Sequence, residues 1–195
     1  DTLRNLGQLG GSQTVLEAIL TRLSDGFQKN AIAFSLGRTL EASGENELAL
    51  SWYAQAANPP VSRLLQVKAQ LAQLKLLIDK KVWSAAIALL PTIDQNLGQL
   101  PLSHQQIYSQ INFAQRLTEL KQNSDQKSPL MSWEAIAARL AQAQKNAQLL
   151  GDKRGEIYAQ GNLGKIYEQT QQWAIAQNLT EKALQASQVL NAPEM

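Results

Sequence analysis

The chain holds one histidine and no cysteine, so the side chains able to do chemistry can be weighed one by one. His104 stands in "LPLSHQQIY". An imidazole there could act as a general base only beside a nucleophile and an orienting acid, and no neighbour in the sequence has such a role. Ser103 before it reads instead as a helix N-cap, its hydroxyl accepting from a backbone N–H of the first turn. The stretch Gly10-Gly11-Ser12 lacks the Lys and Ser/Thr that complete a phosphate loop, and it reads as a turn. Glu41, Glu45 and Glu47 come nearest to a cation site. They flank a solvated turn and lack the alternating oxygen ligands of a calcium loop. Without cysteine there are neither disulfides nor thiolate metal sites. These residues point to no enzyme, no metal and no cofactor.

Composition narrows the partners. Over 195 residues the formal charge is +2, and Lys and Arg are scattered among Asp and Glu rather than gathered in a stripe. A nucleic-acid surface needs that stripe, so no nucleic-acid partner is expected. The longest apolar runs, such as "AAIALL" at 85–90, fall far short of a bilayer span, and no membrane insertion is expected. The opening "DTLRNLGQLG" has neither the basic start nor the apolar core of a signal peptide. With the lack of cysteine this points toward the cytoplasm, while export stays open because the start reads as truncated. The sequon at Asn178-Leu179-Thr180 falls inside a helix, with Thr180 at a packing position, and reads as accidental. Lys80-Lys81 reads as a helix-end pair favoured by the dipole.

What the chain must build to position any site is a set of helices, being rich in Ala, Leu and Gln and poor in β-branched runs. In "NAIAFSLGRTLEASGENELALSWYAQAANPP", 30–60, Ala33, Leu36, Gly37 and Leu40 form one stripe at steps of three and four. Gly44 is a left-handed helix stop. A second helix carries Leu48, Ala49, Trp52, Tyr53 and Ala56 before Pro59-Pro60. In "IYAQGNLGKIYEQTQQWAIAQNLTEKALQAS", 157–187, Leu163, Gly164 and Tyr167 recur at the first helix's offsets, and Ala176, Thr180 and Ala183 at the second's. Twelve positions separate Gly37 from Ala49 and Gly164 from Ala176, and seven more lead to Ala56 and Ala183. Phe113, Ala114 and Leu117 open a third copy. Its second helix, "WEAIAARLAQAQKNAQLL", is displaced by the polar insert 121–132, which Trp133 would anchor. A further pair spans 61–97; Ala86 suits its first alanine position, but no glycine pins the register. The opening segment, with an Asn-Leu-Gly like that of 162–164, is short between helices, through missing residues or a tight turn near 9–12. Trp52, Trp83 and Trp173 lie at or near the starts of second helices, where large groups are buried.

These offsets resemble the tetratricopeptide repeat (TPR), a helix hairpin of about 34 residues. The resemblance implies an all-α fold, an α-solenoid of stacked antiparallel hairpins in a right-handed superhelix. One domain over 1–195 would hold about four and a half helix pairs, at roughly 1–29, 30–60, 61–100, 103–151 and 154–191. "NAPEM" would begin another, and with neither end capped the chain reads as a fragment of a longer one. Small residues are required where two helices approach closely. Gly37 against Ala49 and Gly164 against Ala176 are the expected contacts, within a packing set of Leu36, Gly37, Ala49, Tyr53, Ala56, Phe113, Ala114, Leu163, Gly164, Tyr167, Ala176 and Ala183. The Gln-rich helices and "YEQTQQW" further resemble repeat arrays of large cyanobacterial proteins that carry a caspase-like CHAT domain.

The resemblance also implies a concave wall built mainly from first helices. By offset its residues are Phe34, Arg38 and Glu41; Tyr108, Ile111, Asn112 and Gln115; and Tyr158, Asn162, Lys165 and Glu168. Phe34, Tyr108 and Tyr158 would be apolar anchors, with Asn112, Asn162, Arg38 and Lys165 orienting an extended peptide. Only two of these are basic and they stand far apart, which departs from relatives that clamp a C-terminal carboxylate. The expected function is a non-enzymatic protein-interaction scaffold binding a peptide or partner protein, or a domain of its own chain. The alternatives are a regulatory arm of a CHAT-type protease and a structural spacer or self-assembly module.

Overall fold

The computed structural model describes residues 2–59, 61–125 and 127–189; "NAPEM" lies outside them. Among the described residues there are ten α-helices and no strand, and the fold is an all-α solenoid of stacked helix hairpins. The chain forms two compact units, 1–98 and 99–195.

The first unit runs through α1 (Thr2–Asn5), α2 (Leu9–Leu20), α3 (Gly26–Ala42), α4 (Asn46–Ala56), α5 (Arg63–Asp79) and α6 (Trp83–Gly98). From α2 onward each helix packs on the next. Asp25 caps α3 by accepting from the Phe27 N–H at 2.9 Å, and Ser62 caps α5 through the Leu65 N–H. The core between α3, α4 and α5 is Leu40, Ala49, Tyr53 and Leu76, with Ala33, Ala56 and Ala69 in a second cluster. Phe34 and Trp52 are partly buried against both. Full burial of one such Leu is worth about 1.5–3 kcal/mol, so this stripe, rather than helix propensity, holds the hairpin.

The second unit runs through α7 (His104–Asn123), a 3₁₀ turn (Pro129–Met131), α8 (Trp133–Leu149), α9 (Lys153–Gln169) and α10 (Trp173–Val189). Ser103 caps α7 by accepting from the Gln106 N–H, as its sequence position leads one to expect. Ser132 caps α8 in the same way. The polar insert is closed by buried Met131, and Lys121 at the end of α7 lies 5.0 Å from the centroid of the Trp133 ring. Of the packing set, Tyr167 is half-buried and the others are buried.

The helices also settle the register of the 61–97 pair. α3, α5 and α9 are each 17 residues long. Each ends two positions before a left-handed turn residue, at Gly44 (φ 81°), Lys81 (φ 58°) and Gln171 (φ 60°). Leu74 therefore stands where Gly37 does, and Ala86 where Ala49 does. Lys81 is thus a strained turn residue, while Lys80 pairs with Glu47.

Three local expectations need correction. Gly10-Gly11-Ser12 is helical, inside α2. The turn falls at Gly7, whose φ of 75° suits glycine, and Ser12 is buried with its Oγ 3.2 Å from Thr39 Oγ1. Gly37 faces Tyr53 rather than Ala49: a Cβ there would lie 2.6 Å from two ring carbons. Gly164 likewise faces Thr180 Oγ1 at 2.7 Å, with the Ala176 carbonyl at 3.5 Å. The close approach is therefore made one helical turn beyond the alanine. Trp173 is 61 % exposed because it opens α10 on the side turned away from α9.

Candidate functional site

The described residues contain no cluster of three or more His, Cys, Asp or Glu able to hold a metal, and no helix long and apolar enough to cross a membrane. The site with most structure around it is a groove in the second unit, and α7 and α9 build it.

Its upper end starts at the N-terminus of α9. Asp152, 8 % exposed, caps that helix by accepting from the Gly155 N–H at 2.8 Å. It also meets Nδ1 of His104 at 2.7 Å and accepts from the Tyr108 hydroxyl at 3.3 Å. Desolvation pushes the carboxyl up, but the bonds from His104, Gly155 and Tyr108 outweigh it and hold the pKa below its ordinary value. Burial beside that carboxylate raises the Tyr108 phenol. The Tyr108 ring in turn meets Tyr158 edge-on, with centroids 6.2 Å apart. His104 thus orients a helix end. An acid beside it was not legible in the sequence, since 48 positions separate the pair; the helix-start pattern Gly151-Asp152 is the one local signal.

Further down, Gln115 Nε2 donates to Asn162 Oδ1 at 3.2 Å, and Asn162 Nδ2 donates to the Tyr158 carbonyl at 2.7 Å. One donor and one acceptor of the Asn162 amide stay free for a ligand. Gln115, Tyr158, Asn162, Lys165 and Glu168 then line a groove of about 560 Å³ with Gly161, Thr180 and Leu184. A neighbouring recess of about 500 Å³ shares Gln115, Asn162, Lys165 and Glu168 and adds Arg116 and Glu119. Five of the expected wall residues are therefore brought together here. Gly161, Thr180 and Leu184 were not expected, because the wall was assigned mainly to first helices and α10 is a second helix. Their signal lay in the repeat register: Gly161 and Thr180 stand where Phe34 and Tyr53 stand in the 30–60 copy.

Of the other expected wall residues, Asn112 is exposed on α7, while Ile111 is only 4 % exposed and packs inside the unit. In the first unit Arg38 is exposed. Phe34 packs on the Tyr53 ring with centroids 5.6 Å apart. Glu41 accepts from the Tyr53 hydroxyl at 2.6 Å and from Lys75 Nζ at 2.8 Å. Burial, then the bond to Glu41, raises the Tyr53 pKa far above its ordinary value, so this phenol stays neutral. Phe34 and Glu41 are thus engaged inside the first unit.

No family model matches the chain, and no curated protein does. Solved structures do. The TPR-like repeats of a kinesin light chain-like protein from Podosopora anserina are 17% identical, with a TM-score of 0.74 over 97% of this chain and 92% of that one. A second crystal structure with the same description is 17% identical, with a TM-score of 0.72 over 95% and 90%. At that identity the likeness is one of fold, and the fold is a TPR-like helical repeat.

Proposed function

We propose that the chain is a non-enzymatic protein-interaction scaffold, one repeat array of about four and a half hairpins, that reads a peptide along α7 and α9 of its second unit. The observation that carries this is the meeting of Gln115, Tyr158, Asn162, Lys165 and Glu168 around one groove. Tyr158 offers a ring for an apolar side chain, Asn162 a donor and an acceptor for a peptide bond, and Lys165 and Glu168 a charge of each sign. Asn112 and Tyr108 extend the same wall, and Arg38, Phe34 and Glu41 mark its counterpart in the first unit. Peptides enriched from a random phage library on the wild-type chain should bind the Asn162→Ala, Lys165→Glu variant about tenfold more weakly, the loss of one or two oriented polar contacts. No enrichment, or peptides indifferent to both changes, would remove the groove assignment.

The Gln-rich helices that resemble cyanobacterial arrays support a second reading, in which the groove holds a domain of the same polypeptide and regulates a CHAT-type protease. A Cys–His protease domain encoded on the same chain, whose activity changes with Lys165→Glu, is the result expected of it; a full-length protein without such a domain would exclude it.

A further inference from the structure

The α9–α10 hairpin has a counterpart in the α3–α4 hairpin, which starts 127 positions earlier with identical first-helix length and turn position. The α3–α4 hairpin is covered on one side by α5. Leu76 packs with Leu40, Ala49 and Tyr53, and Ala69 with Ala33 and Ala56. Lys75 Nζ donates to Glu41, and Gln66 Nε2 to the Ala57 carbonyl at 3.2 Å.

The positions that receive these contacts recur in α9–α10 as Tyr167, Ala176, Thr180, Ala183, Glu168 and Leu184. There they face outward: Thr180 and Glu168 are exposed, and Leu184 is 47 % exposed. Glu168, the counterpart of the carboxylate that Lys75 neutralises, is without an ion pair among the described residues. Two rings have also been exchanged for small groups, Phe34 for Gly161 and Tyr53 for Thr180. That exchange leaves room along the groove wall.

From this we infer that the α9–α10 face binds an amphipathic helix supplied by a partner protein, with a bulky apolar residue over Gly161 and Thr180 and a basic residue against Glu168. Charge selects the cation, as Lys75 does for Glu41. Volume selects the bulky group, because the level at which α5 carries only Ala72 is the level at which two rings are absent here. The occupant is a helix because the groove is bounded by two helices whose counterparts hold one. This rests on the interaction-scaffold reading, but it uses α10 where the extended-peptide reading uses α7.

The probe is a synthetic peptide spanning residues 62–81 of this chain, with Ala72→Phe. It should bind the full chain about tenfold more tightly than the unsubstituted peptide, the gain of one buried aromatic anchor. Leu184→Asp in the protein should abolish binding. Glu168→Lys should weaken it about two- to fivefold, the worth of one exposed ion pair, and Lys75→Glu in the peptide should restore it. Circular dichroism melts confirm that the protein variants stay folded, since both changes lie at exposed positions. No binding, or binding indifferent to Leu184→Asp, overturns the proposal. A dimer of the chain itself that Leu184→Asp dissolves would assign the face to a second copy and overturn it equally. Phage-derived peptides that still bind, and still lose affinity with Asn162→Ala, would show that the groove reading survives such a failure.

Discussion

Gly37 and Gly164 share a repeat position but meet different neighbours, and the difference decides how each responds to a methyl group. At Gly37 a Cβ would sit 2.6 Å from the ring of Tyr53, which is 1 % exposed and fixed by its bond to Glu41. The ring cannot retreat, so Gly37→Ala should cost about 1–3 kcal/mol, the usual penalty for overpacking a filled core. At Gly164 the nearest atom is the Thr180 hydroxyl at 2.7 Å, the end of an exposed side chain that can turn about χ1. Alanine there also gains about 1 kcal/mol of helix propensity over glycine. Gly164→Ala should therefore be neutral within about 0.5 kcal/mol, and urea unfolding of both variants checks the contrast. Glycine at this position was legible from its spacing. Its partner was not, because a twelve-position offset names the nearest small residue rather than the atom in contact.

The elements are held at their ends by short side chains, and α9 by the most exacting of them. Asp152 replaces solvent with three bonds, to the Gly155 N–H, Tyr108 and His104. Its folded pKa lies below the ordinary value of 3.8. A lowered carboxylate adds stability that is fully present above the unfolded value and is lost as pH falls through the folded one. The second unit should therefore lose stability as pH drops below about 5. Asp152→Asn keeps a capping oxygen but loses the charged acceptor. It should cost about 1–2 kcal/mol at neutral pH and flatten the acid slope, read by thermal melting from pH 7 downward. Ser103 as the cap of α7 was plain from sequence, since a cap is a local event. The cap of α9 reaches back to α7, and only folding brings those residues together.

Across each unit, burial is uneven. α8 lies between α7 and α9 and buries Ile136, Leu140, Ala143 and Ala147. α10 rests on α9 and buries only Ala176, Ala183 and Ser187. A helix with one neighbour and little apolar burial opens locally at low cost. Backbone amides of α10 should therefore exchange with deuterium at least about tenfold faster than those of α8, as mass spectrometry of the folded chain can show. Binding of the helical probe to the α9–α10 face should slow them.

The fold class was determined by the amino-acid sequence alone. Stripes at steps of three and four, and small residues at fixed offsets, leave a helix hairpin as the one arrangement that buries them. The absence of cysteine and the lone histidine likewise disposed of thiolate chemistry before any coordinates. Tertiary structure decided the rest. It placed Gln115 beside Asn162, put His104 on Asp152, and opened the groove at Gly161 and Thr180. The physical reason is range: helical periodicity is written in neighbours three and four residues apart, whereas a groove is made by which side chains are missing between elements, and that is known only once the elements touch.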